Sequence, residues 1–392
     1  MSLPLARPGL HDGGHEYFAW ARTMRDHHPV VFDEAGATWH VFRYEDAVTI
    51  SSDPATFSNE IQRVMPVDQL IRGNIGAMDP PKHRQMRKLV SQAFTARTVS
   101  ELAPRIATLT KELLDTVTDR DDFDLVADVA YPLPVIVIAE LLGVPPSDRH
   151  LFHNWVDTML GPAYNQLTDL LEHQEVMSAY AALHEYLADH VRDRRQHPRE
   201  DLLTRLAFAE ADGDRLDDDE IVGFASFLLL AGHLTITVLL AHAIRCFDEH
   251  PDAYAELRAD PTLIPSAIEE VLRYRSPFLP ERRVTTRDVE LSGQVVPANS
   301  LITASLLSAN HDERRFTEPE RFDIRRDPNP HLAFGHGIHF CLGAPLARLE
   351  GRIALQLLLE RFPVLHVKPG TQIPLYGSPE IFGPKSLWVI TR

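Results

Sequence analysis

Phe334-Gly335-His336-Gly337-Ile338-His339-Phe340-Cys341-Leu342-Gly343 decides how this chain is read. Glycines at 335, 337 and 343 let the main chain approach a flat ligand closely, because a residue without a side chain tolerates unusual torsions and tight contact. A cysteine stands among them. Ala344-Pro345-Leu346-Ala347-Arg348 then starts a helical pattern with proline in its first turn, where the missing N–H costs nothing. Cys341 therefore falls at a helix N-terminus, where the macrodipole and free N–H groups favour the thiolate, the form that ligates a metal. The stretch reads as a pocket for a haem thiolate.

The chain has 392 residues, 44% hydrophobic and 24% charged, which is ordinary globular usage. Its formal net charge of −17 argues against a nucleic-acid partner. The second cysteine, Cys246, lies in a long apolar run and reads as a buried thiol, so no disulfide framework is expected. Residues 1–15 lack a charged segment followed by an apolar one, and the expectation is a cytoplasmic protein without a signal peptide or membrane anchor.

Along the chain, Glu16 to His27 reads as a helix, residues 29–43 as a β-hairpin, and residues 59–78 as a long loop of the kind that tends to be functional. Asp79-Pro80-Pro81 predicts a capped helix start, with His83 and Arg87 on one face of the helix that follows. Helical periodicity fills residues 102–210, and the break at Gly161-Pro162 marks a candidate lid. Residues 220–245 bracket the longest uncharged run, long enough for a bilayer but read as the central helix of a large core. Gly232 beside Thr235 and Thr237 predicts a local distortion there, a notch in which something could bind. Glu270 and Arg273 share a helix face, residues 284–306 alternate as short strands, and residues 364–367 and 386–390 close the chain as strands. No repeat or linker divides the chain, so residues 1–392 are expected to form a single domain.

The cysteine segment resembles, at every fixed position, the haem-binding signature of the cytochrome P450 monooxygenases: Phe334, Gly337, His339, Cys341 and Gly343. The resemblance runs in order along nearly the whole chain, through His83 and Arg87, Ala231-Gly232 with Thr235, Glu270 with Arg273, Arg283, and Pro319 to Phe322. It implies a mainly α fold, a large helical domain with small β-sheets and a long central helix over the haem. It implies haem b as cofactor, with Cys341 as iron ligand and Phe334 beside the sulfur. His83, Arg87, Arg283 and His339 would hold the propionates, as cationic donors suit carboxylates. Gly335, Gly343 and Ala347 would adjoin the haem on the cysteine side, and Ala231, Gly232 and Thr235 would line the oxygen pocket. Glu270, Arg273 and Arg321 would form a structural network.

The same resemblance implies insertion of one oxygen atom from O2 into a C–H or C=C bond, with electrons from NAD(P)H through a ferredoxin and its reductase, since the chain has no flavin motif of its own. A monomer is expected. Thr235 would be catalytic. The position before it, usually acidic in the family, is Leu234, and His233 is the polar neighbour that could supply protons instead. The Ala-Gly-His-Leu-Thr run is similar to bacterial members that tailor macrolides and related polyketides, which implies a bulky, mostly apolar substrate near Ala231, Leu234, Leu279 and Ile381. Two other readings compete. One keeps the haem but acts as a peroxygenase or a non-oxygenase. The other is a structural metal module using His336, His339 and Cys341, although zinc there would lack its usual fourth ligand.

Overall fold

The computed structural model describes residues 7–10, 13–65, 73–160 and 173–392. The chain is organised around a helix of 32 residues, Asp218–Glu249. Its start is fixed by a capping box: the Asp217 carboxylate accepts from the Glu220 N–H at 2.7 Å, and the Glu220 carboxylate accepts from the Asp217 N–H at 3.2 Å. Beyond the first turn the apolar run takes over, and the helix packs against Pro132–Leu142, Gln174–Gln196 and Ala344–Arg361. Of its most apolar stretch, 72% is buried inside the protein, so its length serves a core.

The distortion expected at Gly232 does not interrupt the helix. The helix is unbroken, and a Cβ at 232 would sit 2.5 Å from Cδ1 of Ile138. The glycine therefore lets helix Pro132–Leu142 approach the central helix. The threonines do bond back one turn, Thr235 Oγ1 to the Ala231 carbonyl at 2.9 Å and Thr237 Oγ1 to the His233 carbonyl at 3.0 Å, without breaking the helix.

The first helix is His15–His27, and the hairpin pairs Val30–Asp33 with Thr38–Val41 in antiparallel register. Leu301–Ser305 adds to it in parallel, followed by Pro280–Thr285 and Phe57–Ser58, giving a five-stranded sheet. A three-stranded sheet joins His366–Val367, Trp388–Ile390 and Asp122–Asp124. Within the helical stretch expected over residues 102–210, a π-turn, Val126–Ala130, precedes the α-helix Pro132–Leu142. Asp79 does not cap the helix Lys82–Ala93, whose N-cap is Pro81; its carboxylate instead accepts from Ser58 Oγ at 2.5 Å and the Asn59 N–H at 2.8 Å, clamping the loop before it. Within the expected loop 59–78 the chain forms two short 3₁₀ turns, Ile61–Arg63 and Ile75–Ala77, and residues 66–72 lie outside the described residues. The Gly161-Pro162 break also lies outside them.

Candidate functional site

The cysteine segment folds into a tight loop before helix Ala344–Arg361. The Cys341 N–H donates to the Phe334 carbonyl at 2.9 Å, and Phe340 N–H donates to Gly337 at 3.1 Å. Gly335 and Gly337 have φ of +70° and +71°, the left-handed region that disfavours other residues. At Gly337 a Cβ would also collide with the Ser51 carbonyl oxygen, so this loop is pressed against helix Tyr44–Ser52. Gly343 differs: it is the N-cap residue at φ −81°, and a Cβ there would make ordinary contact, 3.9 Å, with Cys341 Sγ.

Burial pushes the Cys341 thiol up, against hydrogen bonds from the Gly343 and Ala344 amides and the charges of Arg87 and Arg348. The helix terminus thus aims donors at the sulfur as expected, but desolvation outweighs them, and a bound metal would complete deprotonation.

The cationic residues converge from three elements. His83, buried on helix Lys82–Ala93, faces His339 with ring centroids 4.0 Å apart. Arg87 Nη2, one turn further, donates to the Phe340 carbonyl at 2.9 Å. Arg283, on strand Pro280–Thr285, pairs with Glu281, and Ser51 Oγ donates to the same carboxylate at 2.6 Å. His339 is driven down to about 3 by burial and by the charges of His83, Arg283 and Arg87. Burial and Arg87 lower His83 in the same way. The Nε2 atoms of both histidines are buried and have no hydrogen-bond partner. Orphaned buried donors beside two guanidinium groups fit the carboxylates of a haem, which would satisfy them.

On the central helix, Phe227, Leu230 and Thr235 are partly exposed and Ala231 is exposed, with the partly exposed Gly232 at their edge against Ile138, although most of the helix around them is buried. This stripe lines open space, and Thr235 is its one polar side chain. His233 is not on it. Two residues from both Ala231 and Thr235, it projects about 200° away around the helix. Its ring meets Tyr131 edge-on at 4.5 Å, both its nitrogens are buried without a partner, and burial followed by the charge of His153 lowers it to about 3. The geometry therefore removes His233 from the catalytic set.

Leu234 and Leu279, expected at the substrate, are buried. Leu279 packs in the core while its N–H donates to the Glu380 carbonyl at 2.8 Å. The neighbouring Phe278 forms a bridge with Ile381, and both are partly exposed, so this pair presents apolar surface where Leu279 does not. Phe278 could have been found only from strand phase, which two prolines in the flanking sequence obscure.

Glu270 and Arg273 are fully buried and bidentate, at 2.8 Å for both bonds. Arg273 also donates to the carbonyls of Asn310, Pro319 and Arg321, tying the meander to helix Ile264–Tyr274. The expected third member, the Arg321 side chain, is exposed and pairs with Glu318; only its carbonyl joins the network. Arg326 takes that place, with Nε 3.2 Å from Glu270 Oε2 and Nη1 donating to the Thr317 carbonyl at 2.8 Å. Among the described residues no group of three or more His, Cys, Asp and Glu is arranged to hold a metal ion, which leaves the zinc-module reading without a site.

The family model described as Cytochrome P450 matches residues 5–386. The chain is 48% identical over 385 residues to the cyclomarin C epoxidase CymV of Salinispora arenicola, covering 97% of each chain. It is 45% identical to the erythromycin C-12 hydroxylase of Saccharopolyspora erythraea, over 89% of this chain and 87% of that one. The solved ligand-free structure of cytochrome P450 TbtJ1 superposes with a TM-score of 0.92 at 51% identity, covering 99% of this chain and all of the other.

Proposed function

The chain belongs to the cytochrome P450 family and is a haem-thiolate monooxygenase of secondary metabolism, and from that premise we propose that it hydroxylates or epoxidises a bulky, largely apolar metabolite, a macrolide or related polyketide. The observation that carries the substrate reading is the exposed stripe on the central helix. Phe227, Leu230 and Ala231 offer apolar surface, Phe278 and Ile381 form a separate partly exposed apolar bridge, and Thr235 is the one polar side chain on the stripe. Such a surface suits a large apolar ligand. Names of relatives support the reaction class: one is an epoxidase of cyclomarin C and one a hydroxylase of erythromycin.

Cys341 would ligate the haem iron, with His83, Arg87, Arg283 and His339 on its propionates. When bound, the haem supplies electron acceptance and dioxygen activation. The chain's own residues do the rest. The Gly343 and Ala344 amides stabilise negative charge on Sγ. The apolar stripe orients substrate and excludes water. Thr235 Oγ1 holds a proton that it donates to the Ala231 carbonyl at 2.9 Å, and rotation of the hydroxyl would turn that proton toward the open side of the helix. Electrons would come from NAD(P)H through a ferredoxin and its reductase, docking near the cysteine loop, where Arg352, one turn beyond Arg348 on the helix that follows it, is exposed.

One observation favours the peroxygenase alternative. Leu234 is apolar and buried and His233 faces away, so the stripe carries no titratable side chain for proton delivery. A panel of macrolides and polyketides, read as a spin-state shift of the haem and followed by turnover, tests both readings. Product with ferredoxin, reductase and NAD(P)H supports the monooxygenase; product with peroxide alone supports the alternative. If no macrolide or polyketide shifts the spin state, the substrate proposal fails.

A further inference from the structure

Seven residues after the cysteine, Arg348 turns back along its helix and lies over the ring of Phe334, with the guanidinium carbon 4.6 Å from the ring centroid. The carbonyl of Phe334 accepts the Cys341 N–H, so this ring and the sulfur belong to one loop. Arg348 is held by a two-pronged contact to Glu269, Nε to Oε1 at 2.8 Å and Nη2 to Oε2 at 2.7 Å. Glu269 comes from helix Ile264–Tyr274, beside the fully buried Glu270. A third residue, His331, places Nε2 at 3.1 Å from Glu269 Oε2, while its Nδ1 accepts the Ala333 N–H at 3.2 Å. With Nδ1 accepting, the neutral ring donates from Nε2. Burial raises the Glu269 carboxyl, but Arg348 and His331 outweigh it and hold the group at about 2. The carboxylate is thus ionised and neutralises a guanidinium whose charge reaches the cysteine sulfur.

We propose that Arg348, Glu269 and His331 form a positioning unit that sets the reduction potential of the haem thiolate, by fixing how much uncompensated positive charge lies over the Phe334 ring of the Cys341 loop. A positive charge near a redox centre favours the state with the additional electron, and net charge and hydrogen bonding at the ligand are recognised controls of such potentials. The electron itself comes from the external donor; no bond changes in the three residues. Glu269 damps the effect of Arg348, and His331 keeps Glu269 in place.

Spectroelectrochemical titration of the haem-loaded protein tests this with two charge changes of opposite sign. Glu269→Gln leaves the Arg348 charge unbalanced and is expected to raise the midpoint potential. Arg348→Gln leaves the Glu269 charge unbalanced and is expected to lower it, and the double variant falls between them. Shifts of the same sign, or no shift in either, overturn the proposal, because loosened packing alone has no reason to follow charge. If Glu269→Gln does not retain haem, Arg348→Gln decides alone, and an unchanged or raised potential rejects the idea; if Arg348→Gln is also lost, Arg348→Lys must stay near the wild-type potential. The inference rests on the haem-thiolate assignment. The reduced carbon monoxide spectrum of the wild type reports that assignment separately, so failure of one is distinguishable from failure of the other.

Discussion

His83 and His339 lie with their rings 4.0 Å apart, and neither Nε2 has a partner. Two imidazoles brought together by a helix and a glycine loop are left with donors that a haem propionate would satisfy. Replacing His83 with alanine should therefore weaken haem retention while leaving the thiolate signature intact. A hydrogen bond to a charged group contributes about 1.5–3 kcal/mol, or roughly 10- to 100-fold in affinity. The rate of haem transfer to apomyoglobin measures it, and an unchanged rate would remove His83 from the propionate set.

The glycines of the cysteine loop should separate by mechanism. Gly337→Ala meets both a left-handed backbone and the Ser51 carbonyl, and should cost at least about 2 kcal/mol with loss of haem. Gly343→Ala meets neither obstacle and should fold normally. Thermal unfolding and haem content of the two purified variants check the contrast.

Removing one partner of the buried Glu270–Arg273 pair leaves an uncompensated charge. Arg273→Ala should lose about 3–5 kcal/mol in denaturant unfolding. Arg321→Ala should stay within about 0.5 kcal/mol, because that side chain lies on the surface. Arg326→Ala should fall between them; equal effects of Arg321 and Arg326 would contradict the network described above.

Glu350 is fully buried, neither carboxylate oxygen has a partner, and burial raises it from 4.5 to about 8. The folded state holds this proton more tightly than the unfolded chain. The contribution to stability is complete below the unfolded value and is lost as pH rises toward the folded one, by about 1.4 kcal/mol per pH unit. Glu350→Gln should flatten this slope, matching the wild type near pH 4 and exceeding it near pH 8. Parallel unfolding curves for the two proteins across that range would refute it.

Thr235→Ala removes the one polar side chain of the exposed stripe. Substrate-driven NAD(P)H consumption should continue while more of it ends as peroxide and less as product, by about tenfold or more for loss of a positioned proton donor. The peroxide-to-product ratio decides it.

The cysteine loop was legible in the sequence because its determinants are local: glycines, a cysteine and a proline-marked helix start within 12 residues, 334–345. The central helix was legible from its apolar length. Which side chains share its face was partly hidden, since 233 reads as the neighbour of 235 along the chain but lies across the helix from it. Arg326 was missed for a different reason. It sits in a meander without periodicity, where only tertiary packing says whether 321 or 326 turns inward. Glu350 was invisible because a carboxylate in a helix ordinarily marks a solvated face, and here it is fully buried.

A methyl group added at Gly232 would press on Ile138. That makes one side of the central helix a foundation and the other a workbench. Altering selectivity by redesign belongs at Phe227, Leu230 and Ala231, whose side chains border open space; a larger residue at 232 would wedge two core helices apart before it reached any substrate.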